Sequence, residues 1–263
     1  MSRLAPVFSQ AAAEGRAALI GYLPAGFPTV PGSVSALKAM IESGCDLVEI
    51  GLPYSDPVMD GPTIQVAAET ALRAGFRVRD LFDVVSAVAS SGGRAVVMTY
   101  WNPVLRYGVD AFARDLASAG GLGLITPDLV PDEAESWITA SSAHDLDRIF
   151  LVAPSSTEER IALTASSSRG FLYATSVMGV TGARDVVSSA APELVRRVRE
   201  HTSMPVGVGL GVRSGAQAAE LASFADGVIV GSAFVTAASS GEDAVRALGA
   251  ELAAGVRQAV TPA

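Results

Sequence analysis

Two carboxylates stand out in this chain as candidates for acid–base chemistry. Glu49 lies inside an apolar run, Leu47-Val48-Glu49-Ile50. A carboxyl buried alone is expensive. It is either salt-bridged to a neighbouring strand or kept for proton transfer, with its pKa adjusted by partial desolvation. Asp60 follows in a loop containing Pro53, Pro57, Gly61 and Pro62. Prolines fix φ and stiffen such a loop, so it can hold Asp60 across from Glu49. Asp60 can equally be the N-cap of a helix expected from Thr63. Asp56, in the same loop, reads as a turn former.

Three glycine-rich segments offer a second kind of chemistry. Val208-Gly209-Leu210-Gly211-Val212 and Val230-Gly231-Ser232-Ala233-Phe234 each follow an apolar run. Glycine lets backbone N–H groups approach an oxyanion closely, and a helix N-terminus adds a favourable dipole. Ser232 can add a hydroxyl. Both segments therefore read as halves of a phosphate cradle, each with an ordinary tight turn as the plain alternative. Met178-Gly179-Val180-Thr181-Gly182-Ala183-Arg184 reads as a loop with freedom to close over a substrate, or as a floppy surface loop.

Other chemistries are hard to build. The only histidines are His144 and His201, both in polar surroundings that suit a surface position, and Cys45 is the only cysteine. A Ser-His-Asp triad, a metal site and an intrachain disulfide are thereby disfavoured, and no metal is expected. The net charge is −8, which repels nucleic acid and anionic membranes. There is no apolar stretch of about 18 residues to span a bilayer. The N-terminal segment lacks the pattern of a signal peptide. A cytoplasmic location is the expectation.

Short apolar strands alternate with helical patterns from end to end. Strands are expected at Ala18–Leu23, Leu47–Ile50, Ala95–Thr99, Gly123–Ile125, Ile149–Val152, Phe171–Thr175, Pro205–Gly209 and Gly227–Val230. Most are continuous apolar runs, as parallel strands buried on both faces require. Helices are expected at Val34–Ser43, Thr63–Ala74, Arg79–Ala89, Val109–Ala119, Pro131–Ser141, Thr157–Ala165, Ala190–His201, Gly215–Ser223 and Glu242–Ala259. Two of these fall between the second and third strands. Leu4–Glu14 is helix-like and can plug the bottom of a barrel. Eight βα units in succession favour an α/β fold of the closed (β/α)8 (TIM) barrel type over a doubly wound sheet. One domain over residues 1–263 is expected, with mobile loops after strands 2 and 6. The barrel architecture places chemistry at the C-terminal ends of the strands, where Glu49, Asp60 and the glycine turns fall.

These segments together, EIGLPYSDPVMDGPTIQ, MGVTGAR, GVGLGV and GVIVGSAF, resemble the tryptophan synthase α subunit family over essentially the whole chain. The resemblance implies retro-aldol cleavage of indole-3-glycerol phosphate to indole and glyceraldehyde 3-phosphate. It gives Glu49 the role of acid and base at the indole carbon that bears the glycerol chain. It gives Asp60 the hydrogen bond to the indole N–H. Tyr22, Tyr100 and Leu151 are then expected to line the indole pocket, and Tyr173 the site. Thr181 is expected to meet Asp60 when the loop closes, and Gly182, Gly211, Gly231 and Ser232 to hold the phosphate. The family often has Phe where this chain has Tyr22, and an aromatic at Leu210. It also implies a pyridoxal-phosphate β subunit as partner in an αββα heterotetramer, facing the loop Pro53–Pro57. The cofactor would belong to that partner: the only lysine here, Lys38, lies on an expected helix. Three alternatives share the scaffold: a free-standing indole-3-glycerol phosphate lyase, a non-catalytic activator of the β subunit, and a phosphosugar isomerase.

Overall fold

The structure, a computed structural model, describes residues 2–175, 190–209 and 211–258. Its centre is a closed sheet of eight parallel strands. These are β1 (Ala18–Pro24), β2 (Leu47–Gly51), β3 (Ala95–Met98), β4 (Gly123–Ile125), β5 (Asp147–Ile149 and Leu151–Val152, interrupted at Phe150), β6 (Leu172–Thr175), β7 (Val206–Gly209) and β8 (Gly227–Val230). Each strand pairs with its neighbour in the chain, and β8 pairs with β1. The two pieces of β5 complete the circle: Asp147–Ile149 pairs with β4 and Leu151–Val152 with β6. A bond from the Tyr173 amide to the Phe150 carbonyl (3.1 Å) carries pairing across the interruption. The expected strands are all present, with ends shifted by one or two residues.

Paired residues in a parallel sheet share a face, so the register identifies the interior. Tyr22 pairs with Glu49 and Glu49 with Val96, and Met98 pairs with Ile125 and Ile125 with Ile149. All therefore point into the barrel. The lower interior is one apolar cluster of Ala18, Ile20, Leu47, Val96, Ile125, Ile149, Phe171 and Ile229. Leu4, Val7, Phe8 and Ala11 of helix α1 (Ala5–Ala13) join it from below. Phe8 packs on Phe171 with ring centroids 5.3 Å apart. The N-terminal helix thus plugs the bottom, as its apolar spacing predicts. The remaining core is the shell between strands and outer helices.

Helices α2 (Val30–Glu42), α3 (Pro62–Arg73), α4 (Val78–Ser90), α5 (Trp101–Tyr107), α6 (Val109–Ser118), α7 (Glu135–Ala143), α8 (Glu158–Ser167), α9 (Ala190–Arg199), α10 (Gly215–Ala222), α11 (Ser232–Ser240) and α12 (Glu242–Gln258) surround the barrel. Both α3 and α4 lie between β2 and β3, as expected. Three expectations need correction, one of them helix α11, which was not expected as a helix of its own. The helix expected from Pro131 is a 3-10 turn over Pro131–Glu133 followed by α7, because Ala134 leaves helical geometry (φ −94°, ψ 9°). Helix α5 was not expected, since its sequence WNPVLRY carries an internal proline. Pro103 falls in the first turn, where the missing N–H is tolerated, and the Asp128 carboxylate accepts from the Trp101 amide (2.9 and 3.1 Å). That cap comes from the following βα loop, so local sequence cannot reveal it.

Candidate active site

Glu49 is buried (1% exposed) and points into the barrel mouth beside Tyr22. Its Oε1 has no hydrogen-bond partner. Among the described residues Glu49 has no ion-pair partner, and burial pushes its pKa from the ordinary 4.5 to about 8. Glu49 therefore holds a proton at neutral pH and can give it up.

Asp60 reaches the same mouth from the β2–α3 loop. The Tyr100 hydroxyl donates to its Oδ1 (3.0 Å) and accepts from the Met59 amide (3.0 Å). Tyr100 stands just past the end of β3, so this pair ties the loop to the barrel wall. Asp60 is not a helix cap. The N-cap of α3 is Gly61, with no side-chain cap bond. Burial raises the Asp60 pKa, and the Tyr100 hydrogen bond opposes that rise. Asp56, by contrast, is exposed and accepts from Ser55 Oγ (2.6 Å), as a turn former would.

Tyr22 and Tyr173 complete the electrostatic picture. Burial raises both phenols well above their ordinary range. For Tyr22, the next causes are Asp60, Tyr100, Glu49 and Tyr173; for Tyr173, Glu49 follows burial. Tyr22 is thus within electrostatic reach of both carboxyls. Each phenol passes over a glycine of a neighbouring strand. A methyl group on Gly51 would lie 2.4 Å from Tyr22 Oη, and one on Gly209 2.4 Å from Tyr173 Oη. These glycines make room for the rings.

The other expected site residues divide by strand end. Leu151 is on β5 and half-buried, packed against the interior cluster with Tyr173. Gly211 follows β7 with φ +67°, a conformation that favours glycine. Gly231 follows β8, and Ser232 begins the short helix α11, so the N-terminus expected for a phosphate cradle is present. Thr181, Gly182 and Leu210 lie outside the described residues. Sequence reading missed Met98 and Ile64. Met98 packs against the interior cluster at the end of β3, and Ile64 lies beside Gly231, where an added methyl would be 3.8 Å from its Cδ1. Alternation from Val96 points to Met98, but nothing local signals Ile64.

His144 and His201 sit at helix ends in contact with Asp110 (3.1 Å) and Glu158 (2.8 Å), as surface residues. Among the described residues no cluster of His, Cys, Asp or Glu is arranged to hold a metal, and no helix is long and apolar enough to cross a membrane.

A (β/α)8 barrel with a buried carboxyl of raised pKa at its mouth, a second carboxyl tied to the wall by Tyr100 and glycine turns on its rim has the frame of an acid–base enzyme of the barrel class. The family model of the tryptophan synthase alpha chain matches residues 8–260. The chain is 69% identical to the tryptophan synthase alpha chain of Nocardia farcinica, over 98% of this chain and 97% of that one. It is 70% identical to that of Mycobacterium tuberculosis, over 97% and 95%. Among solved structures, tryptophan synthase of M. tuberculosis superposes with a TM-score of 0.94 at 68% identity, covering 97% of this chain and 98% of that one. The tryptophan synthase complex of Pyrococcus furiosus does so with 0.83 at 31%, covering 90% and 98%. The chain belongs to the tryptophan synthase alpha chain family.

Proposed function

We propose that Glu49 and Asp60 together carry the cleavage of indole-3-glycerol phosphate, the carbon–carbon lyase reaction of this family in tryptophan biosynthesis. The observation that carries this reading is a carboxyl buried in the barrel mouth with its Oε1 unpartnered and its pKa raised by burial to about 8. Glu49 delivers its proton to the indole carbon that bears the glycerol chain. The ring nitrogen becomes cationic, and the Asp60 carboxylate, steadied by Tyr100, accepts its N–H and offsets the charge. The Glu49 carboxylate then takes the proton of the adjacent chain hydroxyl. The ring–chain bond breaks, its electrons return to the indole, and the hydroxyl carbon becomes the aldehyde of glyceraldehyde 3-phosphate. Glu49 ends protonated, so the cycle closes without a redox step.

Gly211, Gly231 and Ser232 hold the phosphate on the far rim. Thr181 and Gly182 are assigned to the closing loop and the cradle by family resemblance. Tyr22, Tyr100, Leu151 and Tyr173 line the pocket. Pyridoxal phosphate belongs to the β subunit, and the only lysine of this chain, Lys38, lies on α2. The β subunit covers the C-terminal rim. A cavity of about 310 Å³ there is lined by Pro53, Tyr54, Ser55, Asn102, Pro103 and Arg106 among others. Exposed Val58, Leu105 and Val130 stand on the loops and the short helix of that same rim. Residues 1–263 act as one domain, in the cytoplasm.

Indole release from indole-3-glycerol phosphate by the purified chain, with and without a β subunit, tests the reading. Release that rises strongly with the β subunit is the expected result. Equal release in both arms would favour a free-standing lyase, and no release in either would favour a non-catalytic activator.

A further inference from the structure

The chain has five tyrosines. Three have partnered hydroxyls: Tyr54 accepts from Asn102 (3.1 Å), Tyr107 donates to Asp115 (2.6 Å), and Tyr100 bonds both Asp60 and Met59. The hydroxyls of Tyr22 and Tyr173 have no partner among the described residues, and both phenols point into the barrel mouth. Tyr22 is 9% exposed. A hydroxyl in the mouth that no described residue engages is placed to meet a ligand there.

The position of Tyr22 indicates which part of a ligand it meets. Its ring lies against the turn after β8: a methyl on Gly231 would be 3.5 Å from Tyr22 Cδ1. Its hydroxyl lies over Gly51 at the end of β2, within electrostatic reach of Asp60 and Glu49. The phenol therefore runs from the phosphate cradle toward the two carboxyls. A substrate with its phosphate at one end of that path and its indole at the other must carry its three-carbon linker alongside. Tyr173 occupies a different place, over Gly209, with Glu49 as the charge acting on it.

We propose that the Tyr22 hydroxyl is a specificity-determining contact for the known reaction, forming a hydrogen bond with the hydroxyl-bearing linker of the substrate. This rests on the assignment of Glu49, Asp60 and the phosphate cradle made above. The bond recognises the diol between ring and phosphate, a feature that neither the indole pocket nor the cradle reads. A phenylalanine at this position would keep the packing and lose the recognition.

The test compares two ligands on Glu49→Gln chains, which bind without turnover, with and without Tyr22→Phe. The ligands are indole-3-glycerol phosphate and indole-3-propanol phosphate, which has the same ring and phosphate but no free linker hydroxyl. Tyr22→Phe is expected to weaken binding of the first by about 3- to 10-fold, the size of one neutral hydrogen bond. It should change binding of the second by less than about twofold. Equal losses for both ligands would make Tyr22 a packing residue, and no loss for either would remove the contact; each result overturns the proposal. If neither ligand binds the Glu49→Gln parent, the site assignment itself fails and takes the proposal with it.

Discussion

The two ends of the barrel treat their acids in opposite ways. At the N-terminal end, Asp46, Asp147 and Asp226 each stand at or just before a strand, and each has an arginine and a backbone donor. Asp46 takes a two-pronged contact from Arg16 (2.7 and 2.8 Å) and the Leu19 amide (2.8 Å). Asp226 accepts from the Val206 amide (2.8 Å) and Arg199 (3.2 Å). Asp147, fully buried, accepts from the Leu4 amide and Ser2 Oγ (both 2.8 Å). Arg169 Nε lies 2.7 Å from its Oδ1, at an angle that falls short of a good hydrogen bond. At the C-terminal end, Glu49 is as deeply buried as Asp147 and has no cation among the described residues. A carboxylate matched with donors holds structure together. One held without them stays protonated and available for transfer.

That contrast is broken most severely at Glu49. Glu49→Gln should abolish indole release, a loss of several orders of magnitude, while phosphate-ligand binding is kept. Near-normal turnover in a steady-state assay would remove the acid–base role. Asp60→Asn should follow, with kcat down by about 10²- to 10³-fold through loss of the anion beside the ring nitrogen. An unchanged kcat would reject that role.

Asp147→Ala tests the other end. It removes the shared acceptor of the Leu4 amide and the Ser2 hydroxyl and loosens α1, so urea unfolding should show a loss of about 2–4 kcal/mol. Turnover per folded molecule should be unaffected. A fall in kcat without a fall in stability would blur the division between the ends.

Stability against pH sharpens it further. The Glu49 pKa is raised in the folded state, so the folded chain binds the proton more tightly than the unfolded one. Its contribution is present in full below about pH 4.5 and is lost as pH rises to about 8. The stability of wild type relative to Glu49→Gln should therefore fall across that window, by at most about 1.4 kcal/mol per pH unit. A flat difference would mean that Glu49 is not protonated when folded. The smallest effect is expected at the rim, where Ser232→Ala should raise KM several-fold with kcat little changed. A change confined to kcat would argue against a ground-state phosphate contact.

Much was legible in the sequence. Parallel strands buried on both faces read as continuous apolar runs, so the eight strands, their order and the plugging helix could be taken from residue types alone. The local string around Glu49 and Asp60 named both acids, and the glycine turns marked the rim. What sequence left open was direction and partnership. Every residue of β2 is buried, so burial along that strand cannot say which face Glu49 takes; the pairing of Tyr22 with Glu49 and of Glu49 with Val96 decides it. That Asp60 leaves the cap position to Gly61 and bonds Tyr100, forty positions away in the chain, is decided by the tertiary structure. The need for glycine at 51 and 209 comes from phenols on neighbouring strands. Composition and periodicity act within one segment and so fix the elements. The protonation of Glu49 and the shape of the mouth depend on what several strands bring together, and only the closed barrel supplies that.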